Sequence, residues 1–176
     1  MGNKKNLMEL INDLTNINHR CADYYENMLG VHNALNMELK AIFSIRANKS
    51  LHYSEKLTRL NISHSGDYPQ YAIAPGKIYY EWDIAKKSCG GNGREGLLNS
   101  FEWCEAATLE AYKTALTSHS LNDYASRKVI MDQKHALQTS LGAIKRYRDF
   151  EKLFFLAKPN AAITPEIKQE AQWMKI

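Results

Sequence analysis

The sequence has few of the residues that interrupt helices and no run of residues that could span a membrane. Its 176 residues include only four prolines, confined to residues 69–75 and 159–165. Proline lacks a backbone donor and breaks helices, so the rest of the chain is free to be helical. No apolar stretch approaches the roughly 18 residues of a transmembrane helix. The start "MGNKKNLMEL" also lacks the apolar centre of a signal peptide. These absences predict a helical protein of the cytoplasm.

Cysteine is scarce as well. The three cysteines are odd in number and have no metal-type spacing, which favours a reducing compartment over a disulfide framework or a zinc site. Cys21 and Cys104 fall on the inner stripes of predicted helices, where a free cysteine behaves as a small apolar residue. A reactive thiol is the alternative interpretation of these two residues.

The charge pattern and the missing motifs exclude several classes of function. The net charge is +4, but acidic residues interrupt every basic stretch. This is unlike the basic stripe of a nucleic-acid-binding protein. The chain also has no phosphate-binding loop, no G-x-S-x-G elbow and no H-E-x-x-H zinc motif. We therefore expect no nucleic-acid partner, no membrane partner and no enzyme of these classes.

What the sequence does have is a helical apolar period of 3.6 residues. Four long helices and one short helix between the two pairs are predicted, over about residues 6–28, 32–60, 77–89, 94–117 and 123–157. Gly30 is predicted to end the first helix, and the Gly- and Pro-containing segment 61–76 is predicted to be a loop. Four helices of three or more turns predict an all-α, antiparallel four-helix bundle over residues 1–157.

The last residues, 158–176, are predicted to be a C-terminal extension. Pro165 fits the first position of a short final helix. Such a short helix is not stable alone, so its apolar face must dock on another surface. The candidate interface residues are Ile167, Trp173 and Met174, and the docking surface is either the same bundle or a second copy.

Five segments, taken in order, resemble a known family. Their order and spacing are similar to those of an uncharacterised bacterial family of ferritin-like four-helix bundles. That family is a domain of unknown function grouped with stress-induced ferritin-like proteins. The resemblance covers about residues 6–153 and implies the bundle fold, a homodimer and an association with stress, but no reaction. The segments are "LINDLTNINHRCADYYENML", "LKAIFSIRANKSLHYSEKLTRL", "YYEWDIAKKSCGG", "FEWCEAATLEAYKTAL" and "LGAIKRYRDFEKL".

The resemblance also implies which polar positions recur in the family. This chain departs from the pattern at Ala106, where the acidic run of the third long helix would continue, and at Leu141, where a histidine is expected. Both departures weaken a metal site in this member. The recurring polar positions are Asn18, Glu102, Glu105, Tyr112 and Gln133.

The stretch "MDQKH" tests whether the bundle holds a metal pair. Asp132 and His135 have the carboxylate-x-x-His spacing of one half of a di-iron site. At about 100° per residue, however, both lie opposite the apolar stripe of their helix. Gln133 is the residue of this stretch that points inward. Asp132 and His135 are therefore expected on a solvated face or a dimer surface.

The inward polar residues predict a structural layer. Asn18, Arg46 and Gln133 are expected to form this interior polar layer. A buried cation repels a divalent metal and needs a carboxylate partner, for which Glu105 is the candidate. We interpret Arg46 and Glu105 as an ion pair that sets helix register, and Asn18 and Gln133 as interhelical hydrogen-bonding groups.

Two functions remain open at this stage. The first is a non-enzymatic bundle without a cofactor, acting through protein interaction or as a homodimer. The alternative is a ferritin-like protein that binds iron or manganese, as an oxidase or a store, through a reduced set of carboxylates. That set would be Glu102, Glu105 and Glu26, although Glu102 is otherwise expected at the surface or an interface.

Overall fold

A computed structural model describes residues 2–31, 37–65, 74–87 and 93–157, and every regular element in these ranges is an α-helix. The predicted all-α class is therefore confirmed for this part of the chain. No helix within the described ranges combines the length and apolarity needed to cross a bilayer. The helices are α1 (Gly2–Val31), α2 (Met37–Ser65), α3 (Lys77–Lys87), α4 (Gly93–Thr117) and α5 (Tyr124–Ala157).

Two predicted helix ends are wrong. Gly30 lies inside α1, which continues to Val31 instead of ending there. A glycine within a helix costs about 1 kcal/mol relative to alanine, which the packing of a 30-residue helix can offset. Likewise α2 runs to Ser65, beyond the predicted end at Leu60. Its last turn is held by a tertiary contact, because His64 Nε2 lies 2.9 Å from Ser126 Oγ of α5.

The core lies between α1, α2, α4 and α5. The α1 helix packs along α2 and the α4 helix packs along α5, while smaller contacts join α1 to α4 and α2 to α5. Each fully buried large apolar side chain contributes about 1.5–3 kcal/mol relative to its exposed state. Residues at the centre of this core include Ile11, Leu14, Ile17, Tyr25, Leu39, Phe43, Leu57, Phe101, Tyr112, Ile130 and Leu137.

Contacts between neighbouring helices run in reversed residue order. The start of α5 meets the end of α4, where Arg127 Nη1 donates to Leu116 O at 3.2 Å. The end of α5 meets the start of α4, where Lys152 Nζ lies 3.4 Å from Glu95 Oε1. The same reversal relates α2 to α5, through the pairs Glu38–Tyr147 and His64–Ser126.

The short helix α3 is attached to the bundle by a carboxylate from α1. Asp13 is buried and accepts hydrogen bonds from Gly76 N at 2.6 Å and from Tyr79 N at 3.2 Å. These are donors at the N-terminus of α3, which have no partner within their own helix. A Cβ on Gly76 would lie 2.8 Å from Asp13 Oδ2, so any other residue here would force the side chain of Asp13 to shift. Trp82 of α3 is buried against α4, where its Nε1 donates to Thr108 Oγ1 at 3.1 Å.

The turn between α4 and α5 carries an N-cap. Asp123 Oδ2 accepts from Ser126 N at 2.7 Å, and Oδ1 accepts from Ala125 N at 3.3 Å. Asparagine, aspartate and serine are favoured at this position because they satisfy these helix donors. The hydrogen bonds from Ser126 lower the pKa of the Asp123 carboxyl below its usual value.

We expect Asp123→Ala to lower the free energy of unfolding by about 0.5–2 kcal/mol at neutral pH, because it removes the cap of α5. The depressed pKa in the folded state means that this contribution is present above the unfolded pKa and is lost as the pH falls through the folded pKa. Urea unfolding of both proteins at neutral and acidic pH measures the difference. An equal difference at both pH values would contradict the ionised cap.

Candidate functional site

An ion pair shared by three helices lies in the core. Arg46 of α2 and Glu105 of α4 are 3% and 1% exposed. Arg46 donates to Glu105 Oε1 from Nη2 at 2.8 Å and from Nε at 3.0 Å. The hydroxyl of Tyr25, on α1, donates to the same oxygen. Three donors from two other helices therefore converge on one carboxylate oxygen of α4, and we call this group the ion-pair layer.

Burial and charge act in opposite directions on the ion-pair layer. Burial alone would lower the pKa of Arg46, but the carboxylate of Glu105 raises it above its usual value. Burial raises the pKa of Tyr25 well above its usual value, so this hydroxyl remains a hydrogen-bond donor. Arg46 Nη1 and Glu105 Oε2 have no hydrogen-bond partner among the described residues. The pair is thus only partly satisfied by hydrogen bonds, which is a costly arrangement in a core.

A second polar group lies next to the ion-pair layer and consists of amides and a phenol. Asn18 Nδ2 donates to Tyr112 Oη at 2.7 Å, and the Tyr112 hydroxyl donates to Gln133 Oε1 at 2.7 Å. Gln133 Nε2 then donates to the backbone carbonyl of Tyr53 at 3.3 Å. This chain of hydrogen bonds, which we call the amide layer, connects α1, α4, α5 and α2 in one direction. Burial raises the pKa of Tyr112, which keeps the phenol protonated as the chain requires.

The helical repeat explains how both layers arise. Residues seven apart lie on the same face of a helix, about 10.5 Å apart along its axis. On α1 this spacing separates Asn18 from Tyr25, and on α4 it separates Glu105 from Tyr112. Each of these two helices therefore contributes one residue to the amide layer and, two turns away on the same face, one residue to the ion-pair layer. The predicted residues Asn18, Arg46 and Gln133 are all buried, although they divide between two layers instead of forming one.

The carboxylates of the alternative metal set are not brought together. Glu105 is held by Arg46 and Tyr25. Glu102 is partly buried and pairs with Arg148 and with Lys145 of α5, the latter at 3.7 Å. It therefore joins α4 to α5, where a position at the surface or an interface was expected. Glu26 is exposed.

The described part of the chain contains no group of three or more histidine, cysteine, aspartate or glutamate side chains placed to hold a metal ion. The residues of "MDQKH" lie as helical phase predicts. Asp132 and His135 are exposed, and Asp132 Oδ2 accepts from Lys128 Nζ at 2.8 Å. Gln133, between them in sequence, is buried.

Sequence reasoning missed Asp13. It lies three residues after Leu10 and four before Ile17, so it belongs to the apolar stripe of α1. A carboxylate on a buried stripe needs hydrogen-bond partners. The presence of an acidic residue on the apolar face of α1 could therefore have indicated a buried polar contact at Asp13. Burial raises the pKa of Asp13 even though backbone donors at Gly76 and Tyr79 act against this effect. The predicted interface residues Ile167, Trp173 and Met174 lie outside the described residues.

Comparison with known proteins adds no identification. No protein-family model, no curated protein and no solved structure matches this chain. The geometry of the described residues is therefore the basis of the functional proposal below.

The ion-pair layer can be tested by a pair of substitutions. We expect Arg46→Met to lower the free energy of unfolding by about 3–5 kcal/mol, because it leaves Glu105 buried without a counter-charge. Adding Glu105→Leu should recover much of that loss, because the uncompensated charge is then gone. Chemical denaturation of the single and double variants measures both effects. A double variant no more stable than Arg46→Met would contradict an uncompensated charge on Glu105 as the cause of the loss.

Proposed function

We propose that this chain is a bacterial, ferritin-like, antiparallel four-helix bundle of the cytoplasm that acts through self-association as a homodimer, without catalysing a reaction. The observation that carries this proposal is that the protein's own side chains occupy the polar positions inside the bundle. The central carboxylate, Glu105, is bound by Arg46 and Tyr25. A role connected with stress follows only from the family resemblance and is part of the same proposal.

The reversed contact order supports the arrangement of the helices. Pairs at both ends of α5 join it to the opposite ends of α4 and of α2. A ferritin-like bundle places its metal ligands on inward faces of four helices. Here those faces carry the ion-pair layer and the amide layer. The interior chemistry is that of a structural core with fixed register.

The iron or manganese alternative is weaker for an electrostatic reason. A divalent ion at Glu105 would lie next to the guanidinium of Arg46, whose Nη2 is 2.8 Å from the carboxylate. The two cations would repel each other across a poorly screened core. Glu102 is likewise engaged by two cations, Arg148 and Lys145. Metal binding would have to displace both sets of ion pairs.

One end of the molecule supports self-association. Met37 at the start of α2 is 85% exposed, and Phe150 and Leu153 near the end of α5 are each 67% exposed. These residues belong to the same end because Tyr147 Oη donates to Glu38 Oε2 at 3.3 Å. We call Met37, Phe150 and Leu153 the apolar end. Clustered exposed apolar residues mark interaction surfaces more often than isolated ones do.

The C-terminal extension belongs to the same proposal. It follows α5 directly in the chain, and α5 ends at Ala157 next to the apolar end. Ile167, Trp173 and Met174 supply the apolar side chains that a docking segment needs. We propose that these residues complete the homodimer interface.

We expect the full chain to have the mass of a dimer at micromolar concentration in light scattering coupled to gel filtration. Met37→Glu/Leu153→Glu and deletion of residues 161–176 should each shift the mass towards the monomer, because both changes remove apolar contact area from the interface. Tyr124→Glu is the matched control, since Tyr124 is 79% exposed at the other end of α5. A monomeric full chain, or a mass that neither change affects, would contradict the proposed interface.

The same protein preparation decides between the two functions. Elemental analysis after growth with iron and manganese should find no stoichiometric metal in the purified protein. About two metal ions per chain, the stoichiometry of a di-metal bundle, lost in Glu105→Ala and retained in Asp132→Ala, would overturn the proposal in favour of the metal-binding alternative. Asp132 is a suitable control because it is exposed and paired only within its own helix in the described structure.

A further inference from the structure

Two thiols from helices far apart in the sequence meet in the core. Cys21 of α1 and Cys104 of α4 are both free, and they are 2% and 1% exposed. Their sulfur atoms are 3.9 Å apart. A disulfide needs about 2.05 Å between the sulfurs, so a modest approach of the two side chains would bring them within bonding distance. Neither thiol belongs to the ion-pair layer or to the amide layer.

A short hydrogen-bond chain orients the thiols. Thr108 Oγ1 donates its only proton to the carbonyl of Cys104 at 2.8 Å. The same oxygen accepts from Trp82 Nε1 at 3.1 Å, and it lies 3.3 Å from Cys21 Sγ. Either atom of the Cys21–Thr108 contact and of the Cys21–Cys104 contact can be the donor. A thiolate at Cys21 accepts from Cys104 and, when the Thr108 hydroxyl turns away from the carbonyl, from Thr108 as well.

This orientation makes the two thiols chemically different. The hydrogen bond from Cys104 lowers the pKa of Cys21, because it stabilises the thiolate. The same hydrogen bond and burial raise the pKa of Cys104. Cys21 is therefore the sulfur that ionises first and attacks an oxidant, since the thiolate is the nucleophilic form. Cys104 is placed to attack the oxidised product.

We propose that Cys21 and Cys104 are an oxidisable dithiol that forms a disulfide between α1 and α4 with hydrogen peroxide, and that α3 controls access to it. The Cys21 thiolate attacks one peroxide oxygen, so that an S–O bond forms, the O–O bond breaks and hydroxide leaves as water after taking a proton. Cys104, after losing its proton, attacks the Cys21 sulfur, so that the S–S bond forms and the S–O bond breaks. Two thiols and one peroxide thus give one disulfide and two waters.

The α3 helix is the element placed to control access. It packs on both α1 and α4, and its buried Trp82 bonds to the Thr108 hydroxyl that holds Cys21. An 11-residue helix is not stable alone, so α3 depends on its attachments. One attachment is the Asp13 cap on Gly76 and Tyr79. Local opening of α3 exposes the thiols without unfolding the bundle.

The first experiment asks whether the disulfide forms. A Cys89→Ser background leaves these two thiols as the only cysteines of the full chain. After treatment of the folded protein with hydrogen peroxide, the intact mass should fall by two hydrogen atoms, and no thiol should be alkylated after unfolding. Dithiothreitol should restore both thiols. Further substitution of Cys21→Ala or Cys104→Ala should abolish the two-hydrogen loss.

Three results would overturn the dithiol. They are two thiols that remain alkylatable, addition of oxygen atoms to each cysteine separately, or disulfides only between two chains on a non-reducing gel. A single two-hydrogen loss within one chain supports it.

The second experiment separates local opening of α3 from global unfolding. We expect Asp13→Asn to raise the rate of disulfide formation roughly 5- to 30-fold, the range that one weakened attachment of about 1–2 kcal/mol gives for an opening equilibrium. Asp123→Ala is the matched control, since it weakens the cap of α5, a helix that does not pack against α3 in the described structure. Its oxidation rate should stay within about twofold of the unsubstituted protein under strongly native conditions. Equal acceleration in both variants, or in neither, would overturn the control of access by α3.

Discussion

Arg46 and Glu105 form a buried ion pair between α2 and α4, and this pair limits how the helices can pack. Transfer of two charges out of water costs several kcal/mol per ion, which only good mutual geometry offsets. Apolar side chains can be exchanged by a one-turn shift of a helix, but this pair cannot. The hydroxyl of Tyr25 adds α1 to the same carboxylate oxygen. One buried charge therefore sets the relative positions of α1, α2 and α4.

The amide layer extends this constraint to α5. Tyr112 lies two turns beyond Glu105 on α4, and it accepts from Asn18 and donates to Gln133. Asn18 Nδ2 also donates to Leu14 O at 2.7 Å. The phenol of Tyr112 has a single proton, which goes to Gln133, so the order of the hydrogen bonds between the helices is determined. The inward faces that a metal-binding bundle would use are thereby occupied by the protein's own groups. The groups that remain for recognition and for chemistry are the exposed side chains of the apolar end and the two buried thiols.

The α3 helix introduces a different kind of dependence. Its N-terminus is capped by Asp13 from another helix, while Trp82 reaches the Thr108 hydroxyl of α4. Such a short helix has little stability of its own, so loss of either attachment affects it more than it affects the long helices. Lys86 adds a cation–π contact, with its Nζ 4.9 Å from the Trp82 ring centroid. We therefore expect this region to be less stable than the core formed by α1, α2, α4 and α5, and to open separately from it.

The positions of the helices and the faces on which their residues lie could be predicted from the order of residues along the chain. The apolar period of a helix depends only on residues that are close together in the sequence. It predicted five helices, with ends a few residues from the observed ones, and the burial of Gln133. The pairing of Arg46 with Glu105 was also accessible, because a buried cation requires a carboxylate. Three features could be seen only once the helices were packed: the cap of Asp13 on α3, the close approach of Gly76 to Asp13, and the position of Cys21 beside a second thiol. Each of these features depends on which distant segments of the chain meet. The relative placement of the helices is set by packing and by buried polar contacts, and the apolar period of a single helix carries no information about them.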